Sequence, residues 1–366
     1  MSYAGSQMQR IYSIQAARAL AAFMVVAFHG LRIQEKYLQS SDLLPAVLEI
    51  GQTGVDLFFV ISGFIMVLVS KDSKTASTAD FLTKRFLRIY PTYWVYYGAL
   101  ALVFLVAPGI INSSSSGDID LLSSFFLFPS DSLPILLVAW SLTHELWFYL
   151  VFAGILCAPR KLRIYCLVLW AALIVCSKYF ELSGPIFRVA THNFTIEFIL
   201  GAAAAYAFLR LKKLQIAIYF YIWPIGLAFF LLWFGFVGVL GHSVNVIHDI
   251  PMSRALSVGG GYALMIASFA MIENSGKLRT HAILKELGDA SYSIYLSHIL
   301  VLSILGRAWL SIMGPEGRPA TLEALFWVMT FSATAIGGYI AYILIERPLL
   351  NLTLRKFREI PPRLAR

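Results

Sequence analysis

The sequence predicts an all-α, polytopic integral membrane protein with about ten transmembrane helices, and three observations carry that expectation. Hydrophobic residues make up 59% of the 366 and charged residues only 13%. A soluble domain carries about 25% charged residues and about 45–50% apolar ones. The 29 basic and 20 acidic side chains would cover the surface of a soluble protein of this length poorly, so the solvent for much of the chain is lipid. Second, the apolar residues gather in runs near the roughly twenty that a helix needs to cross the hydrocarbon core. Third, the basic residues behind the net charge of +9 sit in short loops between those runs. That is the positive-inside pattern rather than one basic stripe, so membrane lipids are expected partners and nucleic acid is not.

In order, the runs are 12–31, 50–70, 89–108, 134–157, 163–181, 192–210, 214–236, 254–273, 289–312 and 323–345. The first is not a cleavable signal, because Arg18 interrupts it and no small-residue cleavage site ends it. The second and ninth carry polar residues. With the N-terminus inside, the inner segments hold 21 Lys and Arg and the outer segments 7, with Arg18 left inside the first run. The outer seven are Arg32, Lys36, Lys178, Arg188, Arg254, Arg307 and Arg318. This bias places both termini in the cytoplasm. The outer loop 109–133 agrees, with three Asp and no Lys or Arg. Ser113 to Ser116 read as a flexible connection, and Cys157, Cys166 and Cys176 as small buried apolar side chains. The chain divides into one membrane domain through residue 350 and a basic cytoplasmic tail, 351–366.

An ionisable group inside a membrane span is costly and is a functional hypothesis by default. Arg18 and His29 are eleven residues apart, three turns plus about 20°, so they share a face roughly 16 Å apart along the axis. Arg18 falls in the inner leaflet and His29 toward the outer one. Snorkelling for Arg18 and a hydrogen-bonded core role for His29 are the competing readings. The second run opens Gly-Val-Asp-Leu-Phe-Phe-Val-Ile-Ser-Gly, Gly54 to Gly63. Asp56 is expected at the depth of His29, where a carboxylate can fix a histidine tautomer. Ser62 and Gly63 read either as close helix packing through small residues or as a cavity wall.

Lys84, Arg85 and Arg88 precede Ile89-Tyr-Pro91 at the inner start of the third run. Arg85 and Arg88 are three apart and can face one way. They are either ordinary anchors or guanidinium forks for phosphates. The fourth run carries Trp140-Ser-Leu-Thr-His-Glu-Leu-Trp-Phe-Tyr149, with Glu145 near mid-membrane. Glu145 is either an ion-pair partner, for Arg18 for instance, or part of a reaction site. Glu197 lies in the outer half of the sixth run. Ser291, Tyr292, Ser293, Tyr295 and His298 follow in the ninth, with His298 read as a structural hydrogen-bond donor or a cavity residue. Glu346-Arg347-Pro348 reads as an interfacial stop with a local ion pair. The seven histidines show no zinc spacing, and no Gly-rich phosphate loop or Gly-x-Ser-x-Gly elbow is present, so no metal is expected.

Four of these segments, in order, resemble the membrane acyltransferase-3 family, and within it the exopolysaccharide acetyltransferases. They are Arg18 with His29, Gly54 to Gly63, Lys84 to Pro91, and Trp140 to Glu145 with Tyr149. Ser291 to His298 and Glu346 to Pro348 are similar to the family's late helices. The resemblance implies a ten-helix core that acylates carbohydrates, located in a bacterial inner membrane. It implies that His29 is the catalytic histidine, aided by Asp56 and Glu145, and that Arg18, Arg85 and Arg88 are needed for the donor. Ser62, Tyr149, Tyr295 and His298 are the expected cavity-lining residues. Some members carry a fused extracytoplasmic hydrolase-like domain; without one, the chemistry falls to the membrane domain. No permanently bound cofactor is expected, with acyl-CoA, most simply acetyl-CoA, as co-substrate. The expected acceptor is a lipid-linked or polymeric surface carbohydrate. A transporter or flippase of lipid-linked saccharides fits the same topology and buried charges, as does a non-catalytic partner in polysaccharide synthesis.

Overall fold

The computed structural model describes residues 11–38, 42–70, 78–111, 119–212, 217–237, 249–314 and 318–359, and among them there is no strand. Arg10, Lys71, Lys74, Lys213, Ser113 to Ser116 and residues 360–366 of the expected tail lie outside the described residues. The helices in chain order are α1 (Tyr12–Tyr37), α2 (Gly54–Ser70), α3 (Thr78–Val106), the short α4 (Leu121–Phe126) and α5 (Trp140–Cys157). They continue with α6 (Arg163–Ser177), the short α7 (Pro185–Ala190), α8 (Phe194–Leu211), α9 (Ala217–Val237) and α10 (Met252–Arg254). The last five are α11 (Gly260–Asn274), α12 (Ala282–Asp289), α13 (Ser291–Met313), α14 (Ala320–Ala341) and α15 (Arg347–Glu359).

Eight stretches are long and apolar enough to cross a membrane, and two shorter apolar helices, Arg163–Ser177 and Ile222–Trp233, complete the ten expected positions. The protein is thus an all-α membrane protein, and each apolar run of the sequence corresponds to one of these helices. The helices overshoot the runs. The third begins at Thr78 rather than 89, so Lys84, Arg85 and Arg88 sit on helical turns and not in a loop. At the far end, Tyr342–Glu346 forms a π turn and the chain re-enters helix at Arg347. Glu346-Arg-Pro is therefore not a stop. The π turn shifts the hydrogen-bond frame just where Pro348 has no N–H to give. The tail expected from residue 351 is helical through Glu359.

The central packing is α2 against α8, with α1 against α2, α12 and α13, and α13 against α14. Gly63 and Gly201 set the α2–α8 distance. A Cβ on Gly63 would lie 1.9 Å from the Phe198 carbonyl oxygen, and one on Gly201 1.9 Å from that of Val60. Close approach through small residues is how membrane helices gain packing without a hydrophobic drive. Phe59, Phe148, Phe194 and Phe198 interlock around this contact, with centroids 4.6–5.2 Å apart. Cys157 and Cys176 lie on the outside of the bundle and not in its interior, a correction to the sequence reading; they occur near the C-terminal ends of α5 and α6.

Candidate active site

Five helices, α1, α2, α3, α5 and α13, surround a cavity of about 120 Å³. Its polar wall holds Arg18, Arg85 and Arg88, with Glu145, Ser62 and the hydroxyls of Tyr149, Tyr292 and Tyr295. Helical phase explains the grouping. Arg85 and Arg88 are one turn apart on α3, and Ser141, Glu145 and Tyr149 form an i, i+4, i+8 stripe on α5. Lys84, next to Arg85, is exposed and takes no part in this wall.

The three guanidiniums are held differently. Arg88 pairs with the fully buried Glu346 at 3.0 Å, and Glu346 also accepts from the Ser293 amide (3.1 Å) and hydroxyl (2.7 Å). Thus the apparent interfacial ion pair of Glu346 is an inward anchor for Arg88. Arg85 lies over the rings of Phe81 and Tyr149, at 5.7 and 5.8 Å, and makes no ion pair among the described residues. Its Nε is buried without a hydrogen-bond partner there. Among the described residues Arg18 makes only a long contact to Gln15, 3.4 Å. Glu145 accepts from the Ser62 hydroxyl at 3.1 Å and from the Tyr149 hydroxyl. Of its two sequence readings, the geometry gives the cavity role and no ion pair with Arg18. A cavity with more guanidinium than carboxylate leaves a buried charge uncompensated, and an anionic ligand would compensate it.

His29 is not among the residues that line this cavity. The passage expected between Arg18 and His29 is not open: Tyr295 lines the cavity, its ring centroid is 5.7 Å from that of His298, and the His298 centroid is 4.9 Å from that of His29, so two side chains stand between. The partner of His29 is this second histidine. His298 Nδ1 is 2.6 Å from the Tyr295 carbonyl oxygen. A carbonyl only accepts, so in the neutral ring Nδ1 carries the proton and Nε2 a lone pair. His29 Nδ1 lies 2.9 Å from the Val25 carbonyl oxygen and 3.3 Å from that Nε2. Both are acceptors, so Nδ1 of His29 holds its proton and donates it. The Nε2 of His29 is left as a lone pair with no hydrogen-bond partner among the described residues. That is the tautomer a general base requires.

Asp56 does not assist His29. Its two oxygens take Nε and Nη2 of Arg254 at 2.9 and 2.7 Å, fully buried, while Gln52 takes Nη1 at 2.9 Å. Glu197 packs against a second π turn, Ala255–Gly259, just after Arg254, where a Cβ on Gly259 would meet its Cγ at 2.7 Å. Asp56 lies in the first turn of α2, and the 198-residue separation hid its partner. Arg254, counted as an outer-loop cation, is 1% exposed and belongs to this cluster.

Among the expected residues, then, Arg18, Arg85, Arg88, Glu145, Ser62, Tyr149 and Tyr295 meet in one cavity, and His29 and His298 pair beside it. Tyr292, Ser141 and Phe58 also line the cavity and were not singled out as cavity residues from the sequence. For Tyr292 the available signal was its spacing from Tyr295, three residues apart on one face of α13.

The chain is thus an all-α membrane bundle with a guanidinium-rich cavity and, beside it, a pair of histidines. Residues 11–344 match the family model described as an acyltransferase domain, and the chain belongs to this acyltransferase-3 family. It is 32% identical to the exopolysaccharide production protein ExoZ of Rhizobium meliloti (strain 1021), over 82% of this chain and 90% of that one. It is 25% identical to the acyltransferase MdmB of Streptomyces mycarofaciens, over 95% and 93% of the two chains. Nodulation protein 10 of Rhizobium leguminosarum bv. viciae is 27% identical, over 75% and 80%. No solved structure matches the chain.

Proposed function

We propose that this acyltransferase moves an acyl group, most simply acetyl, from cytoplasmic acyl-CoA to a hydroxyl of a surface or lipid-linked carbohydrate, with His29 as general base. The observation that carries the reading is the Nε2 lone pair of His29, oriented by Val25 and His298 and separated from the arginine cavity by Tyr295 and His298. The name of the relative ExoZ, exopolysaccharide production, and that of the acyltransferase MdmB supply the substrate classes.

In this scheme the donor enters from the face that bears most of the basic residues, which puts both termini in the cytoplasm of an inner membrane. The cavity of about 120 Å³ is smaller than the roughly 300 Å³ that a whole drug-sized ligand occupies. It takes the acyl end of the pantetheine arm, and the nucleotide stays at the mouth, with its phosphates drawn by Arg85 and Arg88. Displacement of the Tyr295 ring, together with the adjoining Phe58 and His298 rings, opens the way to His29. Nε2 then takes the proton of the acceptor hydroxyl as that oxygen attacks the thioester carbonyl. The tetrahedral intermediate collapses, the C–S bond breaks, and the imidazolium returns the proton to the departing CoA thiolate. Glu145, held by Ser62 and Tyr149, stays ready to balance charge among the three arginines.

The test is transfer of radiolabel from acetyl-CoA by the purified full chain to lipid-linked glycan. His29→Ala should lower transfer by about 10²–10⁴-fold, the range of general-base catalysis, with unchanged protein in the membrane. Retained transfer removes His29 from the reaction.

A further inference from the structure

A second cavity, of about 210 Å³, lies at the N-terminal end of α5, walled by the segment 119–139 and by α7. We propose that it is the binding site for the acceptor, and that it selects a neutral saccharide unit. The proposal rests on the carbohydrate reading given above and adds where, and with what charge, the sugar is held.

Charge separates the two cavities. The first has three guanidiniums and one carboxylate on its wall. The second has two carboxylates, Asp120 and Asp131, and one guanidinium, Arg188. Arg188 is already paired with Asp131 at 2.5 Å. Asp120 is the N-cap of α4, accepting from the amides of Leu122 and Ser123 and from the Ser123 hydroxyl. Those hydrogen bonds, the hydroxyl's first, hold its carboxyl below the usual carboxylate range, so it is ionised at neutral pH. A phosphate, a CoA nucleotide or a uronate would meet net negative charge here, and a neutral polyol would not.

The remaining wall suits a sugar ring. Trp140 offers an aromatic surface, and Thr143, Ser130 and Ser132 bring hydroxyls. His144 is 3% exposed, lines the cavity, and its Nδ1 has no hydrogen-bond partner among the described residues. A buried polar atom normally has a partner, and a bound hydroxyl would supply it. Pockets of this make-up, an apolar wall with a few convergent polar groups, are the usual form of small-ligand sites. The volume admits roughly one sugar ring, so a longer glycan would present one unit and keep the rest in solvent.

The cavity also lies next to the chemistry. Trp140 is followed by Ser141, whose hydroxyl is 2.7 Å from that of Tyr295, and Tyr295 is the ring that touches His298. A sugar against Trp140 is thus linked to the histidine pair through Ser141 and Tyr295, from the side of α5 away from Arg85 and Arg88.

The experiment uses the full chain in lipid nanodiscs, with radiolabelled acetyl-CoA as donor. The acceptor probes are neutral gluco- and galacto-oligosaccharides and, separately, oligogalacturonates. Label should pass to the neutral set in preference. Ser132→Trp, which fills the cavity from its loop, and Asp131→Asn should each raise the KM for the neutral acceptor by about tenfold, the scale of one hydrogen bond to a charged group. The KM for acetyl-CoA should stay within about twofold, the scatter of a surface substitution. If the wild type labels neutral glycans and both variants keep its acceptor KM, the site assignment fails while the carbohydrate reading stands. Preferred labelling of the uronates overturns the charge argument. If no saccharide is labelled, the carbohydrate reading itself fails and takes this proposal with it.

Discussion

His298 lies 269 residues from His29 along the chain, yet the two imidazoles meet at 3.3 Å. In the proposed reaction His298 holds the ring of His29 in one orientation, so its replacement tests positioning and not proton transfer. His298→Ala leaves Val25 as the single acceptor for His29 Nδ1. The expected result is a kcat about tenfold lower, the worth of roughly one hydrogen bond, with the acetyl-CoA KM unchanged. His298→Gln restores an acceptor and should recover most of the loss. A kcat unmoved by either change would separate the two histidines. Asp56 is the contrasting case. Removing it strands Arg254, 1% exposed, without its counter-charge, and breaking a buried pair costs about 3–5 kcal/mol. Asp56→Ala should therefore remove folded protein from detergent extracts, read by size-exclusion chromatography. Full yield with lost transfer would return Asp56 to the catalytic role that the sequence suggested. The residue types were legible in the sequence, but partners were not, because nothing local in Gly54 to Gly63 points to a guanidinium at 254.

At the scale of elements, the ten apolar runs of the sequence correspond to ten apolar helices, eight of them long enough to cross the hydrocarbon core and two shorter. The ends were less legible. The rule that reads a basic cluster as a loop passes over Lys84 to Arg88, since a helix satisfies its own backbone and continues into the interface. Glu346-Arg-Pro misled for a related reason: Pro348 follows a π turn that absorbs its missing donor. The α2–α8 contact is the element pair most exposed to a single change. Gly63→Ala places a methyl 1.9 Å from the Phe198 carbonyl oxygen, and backbone has no rotamer with which to yield. Overpacking of this kind costs about 1–3 kcal/mol. The melting temperature in detergent should fall, and an unchanged value would show that the helices separate freely.

For the whole molecule, the positive-inside count and the second cavity make one joint prediction. In a cysteine-free background, Ser132→Cys should react with a membrane-impermeant maleimide added to intact cells, and a cysteine placed at Lys161 should not. The opposite labelling would invert the molecule and move the donor to the other face. Of the seven cations assigned to the outer side, Arg32, Lys178 and Arg188 are each paired to a carboxylate, and Arg254 is buried against Asp56. The free positive charge on that side is smaller than the sequence count suggests. Such cancellation is invisible to a tally of residue types, because it depends on which acid folds against which base.

The two cavities have a common partition in α5, and sequence neighbours stand on opposite sides of it: His144 belongs to one chamber and Glu145 to the other. Successive residues of a helix point about 100° apart. A single residue inserted ahead of Glu145 and behind Trp140 would turn the following stripe by that angle, carrying the acid out of the arginine chamber without altering any side chain in it. Rotational phase, rather than composition, is what keeps the two compartments chemically distinct.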